Sequence, residues 1–269
     1  MKNESFDGFY NYVRQNIISD FSRQSLEKFK IYFNELIEWN AMFNLISYKN
    51  ETDILYRHFC DSLYAAKAIL QNAINGDKKP QDPNQIKPCK PQTVARPPIL
   101  KIADLGTGSG MPGIPVKIVM PEIKLTLVES ITKKCKFLEN SNQKLKFDIE
   151  ILNVRAEESG QNEKYRAKYD IVLSRAVSKF SPNLEISIPL LKKGGYFIVH
   201  KTKNSAQSIE EGLPSVENAL KHLGGKLVET IDYKLPDNDI DYQILVFEKY
   251  KDTPAQFPRK TGIPEKKPL

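Results

Sequence analysis

The stretch Ile99-Leu100-Lys101-Ile102-Ala103-Asp104-Leu105-Gly106-Thr107-Gly108-Ser109-Gly110-Met111-Pro112-Gly113-Ile114-Pro115 decides the fold. Its first residues are apolar apart from Lys101, as suits a parallel strand buried on both faces. Asp104 ends that run, and Gly106, Gly108 and Gly110 follow at every second position. Glycines let the backbone turn sharply and approach a ligand more closely than a Cβ would permit. Pro112 falls where the first turn of a helix tolerates a missing N–H. The stretch thus predicts strand, glycine loop and helix N-terminus, where free amides and the helix dipole favour an anionic group.

Two cofactor classes fit this geometry. Gly108, Gly110 and Gly113 spell G-x-G-x-x-G, the dinucleotide fingerprint, but in a shifted register with a proline inside the loop. Asp104 to Gly110 spells acid-x-G-x-G-x-G with nothing shifted, and it resembles the first motif of class I S-adenosylmethionine-dependent methyltransferases. A second strand, Leu125-Thr126-Leu127-Val128, ends in Glu129. An acid roughly 20 residues past the loop is placed to accept hydrogen bonds from ribose hydroxyls. Both classes share that acid, so it does not separate them.

Around this centre the chain alternates strands and helices, the signature of a parallel, doubly wound sheet. Strands are predicted over 99–105, 124–129, 147–152, 169–173 and 196–199, with a helix over 131–145. A further helix containing Leu184, Ile188 and Leu191 is expected to stop at Gly194-Gly195, and one over about 205–223 to stop at Gly224-Gly225. Leu227-Val228 and Ile244-Leu245-Val246-Phe247 form a terminal pair of strands. A final antiparallel strand beside a parallel sheet is the methyltransferase variant of this architecture.

Before the glycine stretch, residues 1–74 read as a helical region. Leu26, Phe29, Tyr32, Phe33, Leu36 and Ile37 recur at helical steps, with Trp39 closing the run. A second helix starts near Asn50, a capping residue, and runs through Ile54, Leu55, Phe59, Leu63, Ala66 and Ile69. His58 and Asp61 lie on it; a histidine at the edge of an apolar face is commonly a hydrogen-bonded structural residue. Residues 75–98, rich in proline and lysine, read as a linker, 99–250 as the catalytic core, and 251–269 as a basic, extended tail that packs as neither helix nor strand.

Composition sets wider bounds. The chain has 269 residues, 40% hydrophobic and 27% charged, with a formal net charge of +7. That charge fits either a lysine-rich proteome or attraction to nucleic acid. Cys60, Cys89 and Cys135 form no C-x-x-C pair, so neither a disulfide framework nor a metal site is expected. No leader or membrane-spanning run is read in the sequence, and a reducing cytoplasm fits.

Six segments together carry a specific resemblance. They are Trp39-Asn40 with Phe43-Asn44-Leu45, Arg57-His58-Phe59-Cys60-Asp61-Ser62-Leu63, Asp104 to Pro115, Arg155-Ala156-Glu157-Glu158, Ser174-Arg175-Ala176, and the Thr253–Leu269 tail. In that order they resemble the bacterial 16S ribosomal RNA guanine-N7 methyltransferase family, also called glucose-inhibited division protein B. The proline-rich segment before residue 99 departs from the family's short connection. The resemblance implies a class I Rossmann-like methyltransferase with a mostly parallel seven-stranded sheet, an antiparallel last strand and an N-terminal helical extension. It implies S-adenosylmethionine as cofactor and 16S rRNA or the small ribosomal subunit as partner, with no metal or membrane, and a monomer is expected.

Residue by residue, the expected cofactor contacts are Asp104, Gly106, Gly108 and Met111 in the loop, Glu129, Ser130 and Ile131 at the ribose, Ala156 and Glu157 at the adenine, and Arg175 after the fourth strand. Arg175, His58 and Asp61 are expected to position the guanine. Arg57, Lys201, Lys203, Arg259 and Lys260 are expected to meet RNA phosphates. Neither an Asn/Asp-Pro-Pro-Tyr motif for exocyclic amines nor the cysteine dipeptide of pyrimidine C5 methylation stands at the fourth strand, where Ser174-Arg175-Ala176 is found. The competing readings are a methyltransferase of another RNA, a protein or a small molecule, a nicotinamide oxidoreductase, and a non-catalytic RNA-binding protein on the same fold.

Overall fold

The computed structural model describes residues 3–75, 99–175, 180–203, 213–236 and 239–269. The proline-rich linker expected over 75–98, Cys89 and Ala176 lie outside these residues, apart from Asn75 itself, as does the expected start of the helix near 205. A seven-stranded sheet carries the fold in the order β3-β2-β1-β4-β5-β7-β6. Its strands are β1 (Lys101–Leu105), β2 (Lys124–Val128), β3 (Ile149–Leu152), β4 (Tyr169–Arg175), β5 (Leu191–Thr202), β6 (Gly225–Lys234) and β7 (Asp241–Lys249). β1 pairs parallel to β2 on one side and to β4 on the other, which makes the gap between β1 and β4 the point where strand order reverses. Open α/β sheets bind ligands in the crevice outside the carboxyl ends of the strands there. β7 runs antiparallel to both β5 and β6, as expected.

Strand period explains why both faces of the sheet are buried. Ile102, Leu125, Leu127, Ile171, Leu173 and Ile198 point into one apolar layer, and Ala103, Leu105, Val128, Val172, Phe197 and Val199 into the other. The first layer is covered by α1 (Asn3–Asn16), α2 (Arg23–Asn40), α4 (Asp61–Asn75), α5 (Gly113–Val119) and α6 (Thr132–Leu145). The second is covered by α7 (Ala156–Gln161), α8 (Phe180–Ser187), α9 (Leu213–Leu223) and Phe257 of the tail. The N-terminal helices therefore share one core with the sheet. No helix of the described residues is long and apolar enough to cross a membrane.

α2 starts where Ser22 accepts a hydrogen bond from the Ser25 amide, and it buries Leu26, Phe29, Tyr32, Phe33 and Leu36 along one stripe. Asn50 likewise caps α3 (Glu51–Asp53) through the Asp53 amide. The helix that follows is not regular. Ile54–Cys60 is wound as a π-helix before α4 begins at Asp61. Such wider turns are rare and recur at functional sites, and nothing in the periodicity of the sequence announces this one.

Three expectations need correcting. The element before β5 is α8 followed by a single 3-10 turn, Ile188–Leu190, so Leu191 opens β5 instead of ending a helix. Pro189, which has no N–H, sits at that turn. Gly194-Gly195 then lies inside β5, where the β4–β5 register shifts between Tyr169 and Ile171, and a Cβ on Gly195 would stand 2.8 Å from the Asp170 carbonyl oxygen. β6 and β7 extend well beyond their short apolar cores because β6, an edge strand, is largely exposed and carries little apolar signal. Finally, the tail is not wholly extended: α10 (Ile263–Lys266) closes one turn behind Gly262, which takes the left-handed conformation at φ +79°.

Candidate functional site

The glycine loop is held from below by Asp104. Its Oδ2 accepts hydrogen bonds from Thr107 Oγ1 at 2.6 Å and from the Gly113 amide at 2.8 Å, and the side chain is fully buried. The anion at the N-terminus of α5 is thus the chain's own carboxylate, placed there in β1. Gly113 permits this approach, since a Cβ would sit 2.9 Å from Asp104 Oδ2 and 2.6 Å from Leu127. Asp104 therefore shapes the loop from underneath and does not line the cavity above it. Burial pushes its carboxyl up to about 7. Oδ1 is buried with no hydrogen-bond partner among the described residues, in keeping with a carboxyl that burial biases toward its neutral form.

Above the loop, a cavity of about 470 Å³ opens at the carboxyl ends of β1, β2 and β3. Five residues marked in the sequence line it together: Gly106, Glu129, Ser130, Ala156 and Glu157. Glu129 accepts from the Gly108 amide through Oε2 at 3.0 Å and from the Ile131 amide through Oε1 at 2.8 Å. Each carboxylate oxygen has a second lone pair, so both can still accept from a ligand's hydroxyls. Gly108 itself has φ +59°, the left-handed conformation that favours glycine, and a Cβ there would meet Lys134 Nζ at 3.9 Å and the Gly106 carbonyl oxygen at 4.0 Å. Val154 and Ile186 add apolar walls, and Ala156 leaves the rim low. Ile131 stands half-exposed at the start of α6, outside the cavity lining.

The remaining wall comes from the far end of the chain. Thr261, Gly262, Pro264 and Glu265 of the tail line the same cavity, and Glu157 Oε1 accepts from the Gly262 amide at 2.9 Å. Tail position could not be read because its contacts are long-range and fall on residues without apolar periodicity.

On the other side of the strand reversal, Arg175 at the end of β4 joins residues far away in sequence. Its Nε lies 2.7 Å from Asp61 Oδ2, Nη2 donates to the Arg57 carbonyl at 2.9 Å and approaches His58 Nδ1 at 3.4 Å, and Nη1 meets the Met111 sulfur at 3.6 Å. Met111 is thus turned toward Arg175, and it does not line the cavity above the loop. The π-helix delivers Arg57 and His58 to this point, one turn before Asp61. His58 Nε2 lies 3.0 Å from the Ser47 carbonyl, so it carries the proton and leaves Nδ1 as the acceptor facing Arg175. Burial, with the Arg175 cation beside it, lowers His58 to about 4, which keeps the ring neutral. Two partners of Asp61 were missed by the sequence: Tyr233 of β6 donates its hydroxyl to Oδ1, and His200 Nε2 lies 3.0 Å from the Asp61 carbonyl. Burial and the Asp61 charge raise the Tyr233 hydroxyl far above its ordinary range, so it remains a donor.

The expected RNA-binding cations divide. Arg57 and Lys260 are exposed. Lys203 pairs with Asp232 at 3.0 Å, and Lys201 lies over the Phe180 ring at 5.4 Å, half withdrawn from solvent. Arg259 is engaged by the protein itself: its amide, Nε and Nη2 all donate to the carboxylate of Glu185, which is fully buried, while the arginine side chain keeps 27% of its surface exposed.

A family model described as rRNA small subunit methyltransferase G matches residues 25–75 and 91–223. The chain belongs to the rRNA small subunit methyltransferase G family. It is 39% identical over 253 residues to the ribosomal RNA small subunit methyltransferase G of Alkaliphilus oremlandii, covering 94% of this chain and 92% of the relative. To the protein of that name from Bacillus cereus it is 36% identical over 266 residues, or 98% and 99% of the two chains. The family match spans the π-helix, the glycine loop, Glu129, Ala156-Glu157 and Arg175, so both sides of the crevice fall inside it. The class I architecture and the rRNA methyltransferase activity expected of this chain are those of rRNA small subunit methyltransferase G.

Proposed function

We propose that this enzyme binds S-adenosylmethionine in the cavity above the glycine loop and methylates N7 of one guanine in 16S ribosomal RNA. The residues present fit that cofactor: Gly106, Ser130 and Ala156 line the cavity with small groups, Val154 and Ile186 give it apolar walls, and Glu129 stands at the ribose position with lone pairs to spare. When bound, S-adenosylmethionine would supply a methyl carbon on a sulfonium; the guanine N7 lone pair would attack that carbon in line with the C–S bond, which breaks as the neutral thioether S-adenosylhomocysteine leaves. The positive charge passes from sulfur to the purine, and no proton has to leave N7 first.

One observation carries this reading. Beside Arg175, Asp61 is committed to Arg175 and Tyr233, neutral His58 turns its free nitrogen to the same guanidinium, and His200 Nδ1, which has no hydrogen-bond partner among the described residues, is buried where no ligand reaches it from the crevice surface. A site with no accessible, disengaged base suits a nucleophile that needs none, and leaves orientation and electrostatics as its contribution. In this reading Arg175 is held at a fixed place at the end of β4 and positions the guanine. Glu129 holds the ribose, and Ala156 lets the adenine edge approach the backbone. Arg57, Lys260 and the exposed lysines of the tail meet phosphates, in a salt-dependent manner.

The test is transfer of labelled methyl from S-adenosylmethionine to unmodified 16S rRNA or small subunits, with chemical-cleavage mapping of N7-methylguanine. Label at a single guanine is expected. Cofactor binding without rRNA labelling overturns the substrate, and absence of cofactor binding overturns the cavity assignment.

A further inference from the structure

We propose that the tail segment Phe257–Glu265 is a working wall of the adenosine half of the cofactor site, and that the ion pair of buried Glu185 with Arg259 is the positioning element that sets it. This rests on the reading of the cavity as the S-adenosylmethionine site.

Four observations converge on it. The tail supplies Thr261, Gly262, Pro264 and Glu265 to the cavity, on the same side as Ala156 and Glu157. Glu157, expected at the adenine, is bonded to the Gly262 amide at 2.9 Å, so the residue at the base position also fixes the strap. Immediately before this wall, Arg259 places three donors on one carboxylate: its amide at 2.8 Å, Nε at 2.8 Å and Nη2 at 2.6 Å. Glu185 is fully buried in α8, and a charge in that position is tolerable only while it is completely paired. On the near side, Arg166 reaches the carbonyls of Thr253, Pro254 and Phe257, and Gln161 reaches that of Pro258.

The anchors therefore bracket a short run of backbone and aim it at the cavity. Tail residues need no apolar periodicity to do this, because the forces acting are charge and backbone hydrogen bonding. A strap held this tightly can confine the adenosine part of a ligand while leaving the β4 side of the crevice to the RNA. Its removal should then act on cofactor affinity selectively.

Gly160 offers a test that touches neither the ion pair nor the cavity. A Cβ there would stand 2.7 Å from Pro258 Cγ, so Gly160→Ala wedges the strap away from α7. Inside a helix this substitution ordinarily stabilises, so lost affinity could not be laid to a weaker helix. The companion variant is E185Q/R259Q, which removes both charges and leaves neither alone. Titration calorimetry with S-adenosylmethionine, and steady-state kinetics against 16S rRNA, would be run on wild type and both variants. We expect each variant to weaken cofactor binding by about tenfold, to raise the KM for S-adenosylmethionine in parallel, and to change the KM for rRNA less than twofold. Unchanged cofactor affinity in a folded variant, or equal rises in both KM values, overturns the proposal. A wild-type protein that binds no S-adenosylmethionine overturns instead the assignment of the cavity.

Discussion

On the β1–β3 side of the crevice the cavity is walled by backbone, small and apolar side chains and the carboxylates of Glu129, Glu157 and Glu265, the first two of which hold amides of the glycine loop, of Ile131 ahead of α6 and of the tail. On the β4 side, Arg175 draws its partners from a π-helix, the start of α4 and the glycine loop, while Asp61 adds β6. The first side is open and has lone pairs in reserve; the second is closed, its charges mutually satisfied. A site that must receive a ligand from solvent needs the first plan. A site that must hold one cation still needs the second, because a guanidinium gripped from several elements loses little entropy when a base arrives.

The comparison is broken most severely at Asp61. Asp61→Ala leaves Arg175 and the Tyr233 hydroxyl without their carboxylate in a nearly buried place. Denaturant unfolding should show a loss of about 3–5 kcal/mol, and transfer should fall at least a hundredfold while cofactor binding falls only a few-fold. Equal loss of both activities would show the two sides to be one cooperative unit.

Glu129→Ala acts on the open side. It deprives the Gly108 and Ile131 amides of their acceptor and the ribose of its proposed one. At roughly 1.5–3 kcal/mol for hydrogen bonds to a charged group, calorimetry should show S-adenosylmethionine binding weakened by about ten- to a hundredfold. Stability should change less than in Asp61→Ala.

Acid sharpens the contrast. His58 is held at about 4 in the fold against an ordinary 6.5. As pH falls through 6.5 the unfolded chain takes up a proton that the folded chain refuses until about 4, so this contribution to stability is present above 6.5 and is lost between 6.5 and 4. Asp104 works the other way: raised from 3.8 to about 7, it favours the folded state at low pH and loses that contribution as pH rises across the same range. The informative quantity is thus the difference between wild type and His58→Gln. Wild type should lose roughly 3 kcal/mol more than the variant between pH 7 and pH 4. Parallel profiles would mean that the ring does not remain neutral beside Arg175.

The smallest effect is expected on the surface. Lys260→Ala, an exposed tail residue, should weaken rRNA binding a few-fold and lower the salt slope by about one. Lys203→Ala should do less, since Asp232 already engages that ammonium.

What local spacing leaves open has a common cause. An apolar residue at helical spacing, such as Leu191, looks the same whether the chain continues a helix or turns at Pro189 into a strand. A basic residue among prolines, such as Arg259, resembles a solvated one until Glu185 is seen behind it. An acid at fixed spacing from the glycines, such as Asp104, looks the same whether its carboxylate points over or under the loop.

By itself the sequence determined the sheet, the glycine loop and the acid after β2, because each is written in residues close together: strand alternation, glycine spacing, a carboxylate at a strand end. The motif positions of Arg175, His58 and Asp61 were also visible. Only the tertiary structure decided that these three meet, that Tyr233 and His200 complete the cluster, and that the tail walls the cavity above the glycine loop. Those contacts join elements up to 172 residues apart. They are made by single charges and backbone amides, whose partners no local period encodes and which only the packed sheet brings within reach.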